Sequence, residues 1–143
     1  MEKKTIYIGL AGYSGQKFDV AEATRLIKAA FDQISALFPD RPIALVSGLT
    51  NLGIPALGYA LATERGWYTI GVACAKAKDY ECYPCTETHI VGTDWGHESQ
   101  TFLDMCQIFI RVGGGDQTIT EITKAKEMGK PVIEHCLAAL PKE

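Results

Sequence analysis

A glycine-rich segment in the last third of the chain carries the clearest sign of ligand chemistry. It is Gly-Gly-Gly-Asp-Gln-Thr-Ile-Thr-Glu over residues 113–121, and it follows the apolar run Ile108–Ile110. Glycines let a ligand approach the backbone closely, and the first N–H groups of a helix lack intrahelical partners. The helix dipole adds about half a positive charge at the same end. The segment therefore predicts a site for a phosphate-bearing ligand, with a nucleotide as the expected class.

We assign phosphate contact mainly to the backbone of three glycines and to one hydroxyl side chain of this segment. Asp116 would repel a phosphate unless it caps the helix or binds a ribose hydroxyl. Arg111 ends the preceding strand, where it either neutralises a phosphate or pairs with a neighbouring carboxylate. The candidate ligand-binding residues of this loop are Gly113, Gly114, Gly115, Asp116, Gln117 and Thr118.

Two further loops rich in small and polar residues also follow predicted strands. One begins at Gly12, and the other covers residues 48–53. Their side chains suit hydrogen bonding or stacking against a base or a ribose, although Ser and Asn are also common in ordinary turns. The candidate ligand-binding residues of these two loops are Gly12, Tyr13, Ser14, Gly48, Thr50, Asn51 and Gly53.

Short apolar segments alternate with segments of helical periodicity along the chain. Several of the apolar segments are continuous, as expected for parallel strands that are covered on both faces. The pattern predicts one domain over residues 1–143, a doubly wound α/β fold whose mostly parallel, Rossmann-like sheet forms the middle of a three-layer α/β/α sandwich. The predicted strands are Thr5–Leu10, Ile43–Ser47, Tyr68–Ala73, Thr88–Val91, Gln107–Val112 and Pro131–His135.

The predicted helices have recognisable ends, and they place the three loops together. Asp19 begins the first helix, with Glu22 as its capping-box partner. In such a sheet the loops at the carboxyl ends of the strands meet where the strand order reverses, so the three polar loops are expected to form one site. The helices are predicted from Asp19 to Pro39, from Gly53 to Gly66, from Asp94 to Cys106 and from Ile119 to Met128.

With these loops placed, nearly the full length of the chain resembles the SLOG superfamily. That group includes the LOG or lysine decarboxylase-like proteins, the molybdenum-cofactor-carrier-like proteins and the Rossmann domain of DNA-processing protein A. The LOG loop Pro-Gly-Gly-x-Gly-Thr-x-x-Glu is matched in its Gly-Gly pair and at Thr118 and Glu121. Gly113 stands in place of its Pro and Gln117 in place of its later Gly. The family loop Gly-Gly-Gly-x-x-Gly-Leu-Met-Gly is matched more loosely by residues 48–54.

The resemblance also shows one departure, which bears on function. LOG phosphoribohydrolases cleave an N-glycosidic bond with an arginine from an Arg-Lys pair, and Glu98 and Ser99 occupy the equivalent positions here. A carboxylate and a hydroxyl cannot bind phosphate as an arginine does. The expected function is therefore binding of a nucleotide or nucleotide-derived ligand. The alternatives are a phosphoribohydrolase acting on nucleoside 5′-monophosphates, with its arginine supplied from another position, and a carrier of a pterin or of the molybdenum cofactor.

Glu121 is the candidate catalytic residue, because it matches the glutamate of the LOG loop. A carboxylate beside a ribose can stabilise an oxocarbenium-like transition state or orient a water molecule. The structural alternative is a capping box formed by residues 118–121 at the start of the last helix. Whether the protein is an enzyme is left open by these residues.

The segment before the third helix offers a second set of polar candidates. His97 and Glu98 could form an acid–base pair, since His titrates near neutral pH. The alternative, which we favour, is helix initiation by Asp94 followed by polar residues of the first turn. Trp95 would either stack on a base or cover the end of the sheet.

The cysteines raise the question of a metal or redox site. Cys82 and Cys85 have the Cys-x-x-Cys spacing of two zinc thiolates, to which Cys74 or His89 could add a ligand. A second Cys-x-x-Cys pair is lacking, and the motif falls in a predicted loop rather than at a helix N-terminus, where redox thiols lie. We therefore expect reduced thiols, with no metal and no cofactor.

Composition limits the classes of partner. The chain has 143 residues, a net charge of -3, 47% hydrophobic residues and 22% charged residues. This charge gives no general attraction for nucleic acid or an anionic membrane, and no apolar run approaches the roughly 20 residues of a membrane span. With no signal-peptide pattern, we expect a cytoplasmic protein with a small-molecule ligand. The family resemblance adds a homo-oligomer, at least a dimer.

Overall fold

The fold is a parallel sheet whose strands alternate with helices; the computed structural model describes residues 4–141. In the described residues the sheet has six strands. In chain order the elements are β1 (Ile6–Gly12), α1 (Val20–Leu37), β2 (Ile43–Ser47), α2 (Gly53–Glu64), β3 (Tyr68–Ala73), a short 3₁₀ helix (Ala75–Asp79), β4 (Glu87–Ile90), α3 (Ser99–Met105), β5 (Ile108–Val112), α4 (Asp116–Glu127) and β6 (Val132–His135).

All pairings between these strands are parallel, in the spatial order β4-β3-β2-β1-β5-β6. The chain builds outward from β1 in one direction through β4, and then crosses back to add β5 and β6 on the other side of β1. The strand order thus reverses beside β1, which is the position where ligands bind in open α/β sheets. The predicted Rossmann-like α/β class is confirmed.

The helices cover both faces of the sheet, so the predicted three layers are present. Alternate residues of β5 point to opposite faces: Ile108 and Ile110 pack with α1 and α2, while Phe109 packs with α3 and α4. Strands β2 and β5 are buried along their whole length. The apolar stripe of α1 is buried as predicted except at Leu37, which is 64% exposed.

The helix starts show which local predictions hold. The carboxylate of Asp19 caps α1 by accepting a hydrogen bond of 3.0 Å from the backbone N–H of Glu22, as predicted. Helix α3 begins at Ser99 and not after Asp94, because Asp94 forms an ion pair of 2.6 Å with Lys76 instead of capping a helix.

The prediction for the start of α4 is wrong by one turn. The backbone of Gly115 is extended, with φ −96° and ψ −157°, and this residue is the N-cap of α4. Thr118 therefore lies inside the first turn, so residues 118–121 do not form the capping box considered above. The consequence is that Gln117 and Glu121 are one helical turn apart on the same face of α4.

The helices of residues 4–141 include none that combines the length and the apolar character needed to cross a membrane.

Candidate functional site

A cavity of about 340 Å³ lies at the carboxyl edge of the sheet, beside the reversal of strand order. Its volume falls in the range of about 300–1,000 Å³ that is typical of small-molecule sites. The ends of β1, β2 and β3 form its floor, and the first turns of α3 and α4 form one wall. The polar and glycine residues of its lining are Gly12, Tyr13, Ser14, Gly15, Gln16, Ser47, Gly48, Thr50, Glu98, Gly115, Asp116, Gln117, Thr118 and Glu121.

The three loops singled out from the sequence all contribute to this cavity. Most of the candidate residues line it, including the candidate catalytic residue Glu121. The sequence prediction missed Ser47, Gly15 and Gln16, which adjoin the chosen residues along the chain. The hydroxyl of Ser47 donates a hydrogen bond of 2.6 Å to the carbonyl of Leu10 and thereby ties the end of β2 to β1.

Four candidate residues lie outside the lining and shape the loops around it. The side-chain amide of Asn51 donates to the Glu81 carboxylate at 2.8 Å. Gly53, Gly113 and Gly114 have positive φ angles of 59°, 63° and 105°, a region that glycine adopts without steric cost. Their direct contact with a ligand stays a prediction.

The amino end of α4 opens into the cavity. Gly115 caps the helix by backbone conformation alone, and no side chain of the described residues caps it. Residues 115–118 line the cavity, so the positive end of the helix dipole and the first N–H groups of α4 lie at its wall. This arrangement can bind an anion such as a phosphate.

Two carboxylates lie on the same wall, joined by one amide group. The side-chain N–H₂ of Gln117 donates to Glu98 Oε1 at 3.2 Å and to Glu121 Oε2 at 3.4 Å. Ser99 Oγ also donates to Glu121 Oε2, at 2.6 Å. Burial raises the pKa of Glu121, and the nearby negative charge of Glu98 raises it further, while the hydrogen bonds from Ser99 and Gln117 act in the opposite direction.

The segment between β4 and α3, residues 93–98, forms a closed turn that we call the β4–α3 turn. Nδ1 of His97 accepts hydrogen bonds of 3.2 Å from the backbone N–H groups of Thr93 and Asp94. His97 therefore holds the turn and is not among the cavity residues, whereas Glu98 and Trp95 are. The pairing of His97 with Glu98, the less favoured of the two interpretations of this segment, is not formed.

A comparison with known protein families identifies the family of this chain. The pattern of the SLOG cluster4 family matches residues 5–139. The chain belongs to the SLOG cluster4 family. This confirms the resemblance to the SLOG superfamily that the glycine loops indicated. A comparison with curated protein sequences gives no significant match.

Solved structures with the same fold include two molybdenum cofactor proteins. The molybdenum cofactor carrier protein of Chlamydomonas reinhardtii has a TM-score of 0.73 and 21% identity, over 92% of this chain and 76% of that one. The molybdenum cofactor binding protein of Rippkaea orientalis has a TM-score of 0.67 and 21% identity, over 94% of this chain and 77% of that one. TM1055 has a TM-score of 0.70 and 22% identity, over 89% and 72% of the two chains. At these identities the likeness establishes the fold.

Arg111, at the end of β5, contacts the glycine loop of this SLOG cluster4 protein from within the fold and does not line the cavity. Arg111 is buried; its Nη1 donates to the carbonyl of Gly113 at 2.9 Å, and its Nη2 lies 3.7 Å from the Glu134 carboxylate. Of the two alternatives for Arg111, the structure therefore shows pairing with a carboxylate. Among the described residues that line the cavity there is no Lys, Arg or His.

The cysteines and His89 do not form a metal centre. Cys82 Sγ lies 3.4 Å from the carbonyl of Ala77, and burial raises the pKa of the Cys85 thiol. His89 pairs with the Glu87 carboxylate at 2.5 Å. Within residues 4–141, no three His, Cys, Asp or Glu side chains are grouped so that they could hold a metal ion.

The raised pKa of Glu121 predicts how replacing this residue changes stability with pH. The folded state favours the protonated form of Glu121. Ionisation of this carboxyl group therefore destabilises the folded state as the pH rises from below 4.5, the ordinary pKa of the group, through its higher pKa in the folded protein. Glu121→Gln should therefore unfold at a higher urea concentration than the wild type at about pH 8, and this advantage should shrink towards about pH 4. Glu127→Gln, which removes an exposed carboxylate from the end of α4, is the matched control for the loss of one negative charge. A difference for Glu121→Gln that does not vary with pH would contradict the account.

Proposed function

We propose that this SLOG cluster4 protein binds a small molecule with one phosphate group, either a nucleotide or a pterin-derived compound. The observation that carries the proposal is the amino end of α4, which has no side-chain cap among the described residues and opens into a cavity at the reversal of strand order. The phosphate would lie against residues 115–118, with the loop after β1 on its other side. The rest of the ligand would occupy the space towards β2 and β3.

The charges of the lining support a single phosphate rather than a polyphosphate. Glu98, Asp116 and Glu121 line the cavity, and no lining residue of the described chain is a cation. One phosphate can be held by backbone N–H groups and the helix dipole. Each further phosphate would add negative charge near these carboxylates without a Lys or Arg to offset it.

The supported activity is binding without turnover, and hydrolysis of an N-glycosidic bond is the second candidate. The observation that favours hydrolysis is the raised pKa of Glu121, a carboxyl group inside the cavity. Against it stands the lining itself, which supplies no arginine to a leaving group or a phosphate. The likeness to two molybdenum cofactor proteins supports a ligand carrier without identifying the ligand.

The first test compares ligands that differ in phosphate number. Isothermal titration of AMP against ATP, and of GMP against GTP, should show the monophosphate binding about tenfold more tightly in each pair, because of the charge repulsion described above. Ribose 5-phosphate should also bind, since its phosphate makes the same backbone contacts. Triphosphates that bind more tightly than monophosphates would contradict the proposal.

The second test separates phosphate binding from stability at one residue. A Cβ added at Gly115 meets no atom within 4 Å, and its extended backbone suits an N-cap Asp. Gly115→Asp should leave the free energy of unfolding unchanged or raise it by a few tenths of a kcal/mol, roughly. The same variant should weaken ribose 5-phosphate binding about tenfold, because the new carboxylate lies where the phosphate binds.

Gly115→Asn is the matched control, because it caps a helix as Asp does but carries no charge. It should retain most of the affinity for ribose 5-phosphate. If Gly115→Asp binds as tightly as the wild type, the phosphate does not lie at the amino end of α4.

The hydrolysis candidate is tested by incubating the protein with AMP or GMP and measuring free base by chromatography. The binding proposal predicts no release above the rate in buffer. Release that disappears in Glu121→Gln would establish the phosphoribohydrolase and contradict binding without turnover.

A further inference from the structure

We infer that Glu98 and Trp95 select the ring system of the ligand, a flat heterocycle with two adjacent N–H donors on one edge. This is the 2-amino-4-oxopyrimidine edge that guanine and pterins share. The inference rests on the proposed function, since it assigns the part of the ligand that the phosphate site leaves undefined.

Glu98 is a buried carboxylate with acceptor capacity to spare. Its residue surface is only 7% exposed, and it lines the cavity. The backbone N–H of Gly96 donates to Oε2 at 3.1 Å, and the Gln117 amide donates to Oε1 at 3.2 Å. Each carboxylate oxygen has two lone pairs, so each oxygen of Glu98 can accept a further hydrogen bond. Two parallel acceptors of this kind match two adjacent N–H donors.

The electrostatic surroundings of Glu98 favour donors over acceptors. Its two donors are an amide and a backbone N–H, neither of them a cation, and the Gln117 amide also reaches the Glu121 carboxylate at 3.4 Å. The two carboxylates repel each other across the wall of the cavity, and N–H groups of a ligand would offset this repulsion. A ring nitrogen with a lone pair, such as N1 of adenine, would instead face the oxygens of Glu98 and be disfavoured.

Trp95 supplies an aromatic surface in the same cavity. Its side chain lines the cavity and is 47% exposed, so the indole ring is accessible to a ligand. The ring of Tyr80 lies beside it, with the two ring centroids 5.9 Å apart. Stacking of a base on an aromatic side chain contributes affinity for any flat ring and is tolerant of its identity. Trp95 therefore favours a heterocycle, and Glu98 discriminates among heterocycles.

The β4–α3 turn fixes these two residues relative to each other. The backbone N–H of His97 donates to the carbonyl of Asp94 at 3.1 Å, and the imidazole of His97 closes the turn from inside. The ion pair of Asp94 with Lys76 ties the turn to the 3₁₀ helix that follows β3. A carboxylate and an aromatic ring three residues apart are thus held on one short, braced segment, as a preorganised site requires.

The test is isothermal titration of the wild-type protein with GMP, IMP, AMP, ribose 5-phosphate and 6-hydroxymethylpterin monophosphate. GMP offers two donors on the edge concerned, IMP offers one, and AMP offers an acceptor. The inference predicts affinities in the order GMP, IMP, AMP, with roughly tenfold or more between the first and the last. If GMP binds more tightly than the pterin phosphate, the ligand is a guanine nucleotide. If the pterin phosphate binds more tightly than GMP, the ligand is a pterin. Both results support the inference.

Two variants test whether Glu98 and Trp95 produce this difference in affinity. Glu98→Gln should reduce the GMP-to-AMP affinity ratio to within about twofold, whereas Glu127→Gln on the exposed end of α4 should leave the ratio unchanged. Trp95→Ala should weaken GMP and AMP alike and leave ribose 5-phosphate binding unaffected. Equal binding of GMP and AMP by the wild type would overturn the inference while the phosphate site stands. Failure of every monophosphate to bind, ribose 5-phosphate included, would overturn both.

Discussion

The close approach of β1 to its neighbours at Gly12 is the constraint on which the site depends. A Cβ on Gly12 would lie 2.4 Å from the carbonyl oxygen of Val112 at the end of β5, and 2.7 Å from the Ile54 side chain at the start of α2. The carbonyl of the next residue, Tyr13, accepts a hydrogen bond of 2.7 Å from the backbone N–H of Ile54. The loops after β1, β2 and β5 can therefore converge, and the cavity lies where they meet.

This convergence sets an anion site beside carboxylates, and the two are electrostatically opposed. The amino end of α4 favours negative charge, while Glu98 and Glu121 oppose it from the same wall of the cavity. Under the proposed function, a ligand that suits both features carries a phosphate at one end and N–H or O–H donors at the other. The combination is more informative than either feature alone, because it disfavours ligands that are anionic throughout.

The sequence predicts the parts of this arrangement that local rules govern. Continuous apolar segments identified the strands, and the rule that parallel strands bind ligands at their carboxyl ends brought the three loops together. The N-cap at Asp19 followed from a short-range pattern and is present as predicted. The SLOG resemblance added a glutamate at position 121, which the structure places in the cavity.

The remaining features depend on contacts between distant segments, which local patterns do not encode. Asp94 has the residue type of an N-cap, but the ion pair with Lys76 withdraws it from that role. The Thr-x-x-Glu pattern at residues 118–121 occurs one turn inside α4, because the extended backbone of Gly115 begins the helix earlier. The joining of Glu98 to Glu121 through Gln117 requires the packing of α3 against α4.

The most direct test of the central claim is a titration followed by ¹⁵N–¹H correlation spectra with ribose 5-phosphate, the smallest probe of the phosphate site. The account predicts that the backbone amide signals of residues 115–118 and of the loop from Gly12 to Gly15 shift together, with one dissociation constant. The amides of Gly66 and Trp67, which precede β3 at the opposite edge of the sheet, should not move. Saturable shifts confined to that opposite edge, or no shifts at residues 115–118, would contradict the assignment of the phosphate to the amino end of α4.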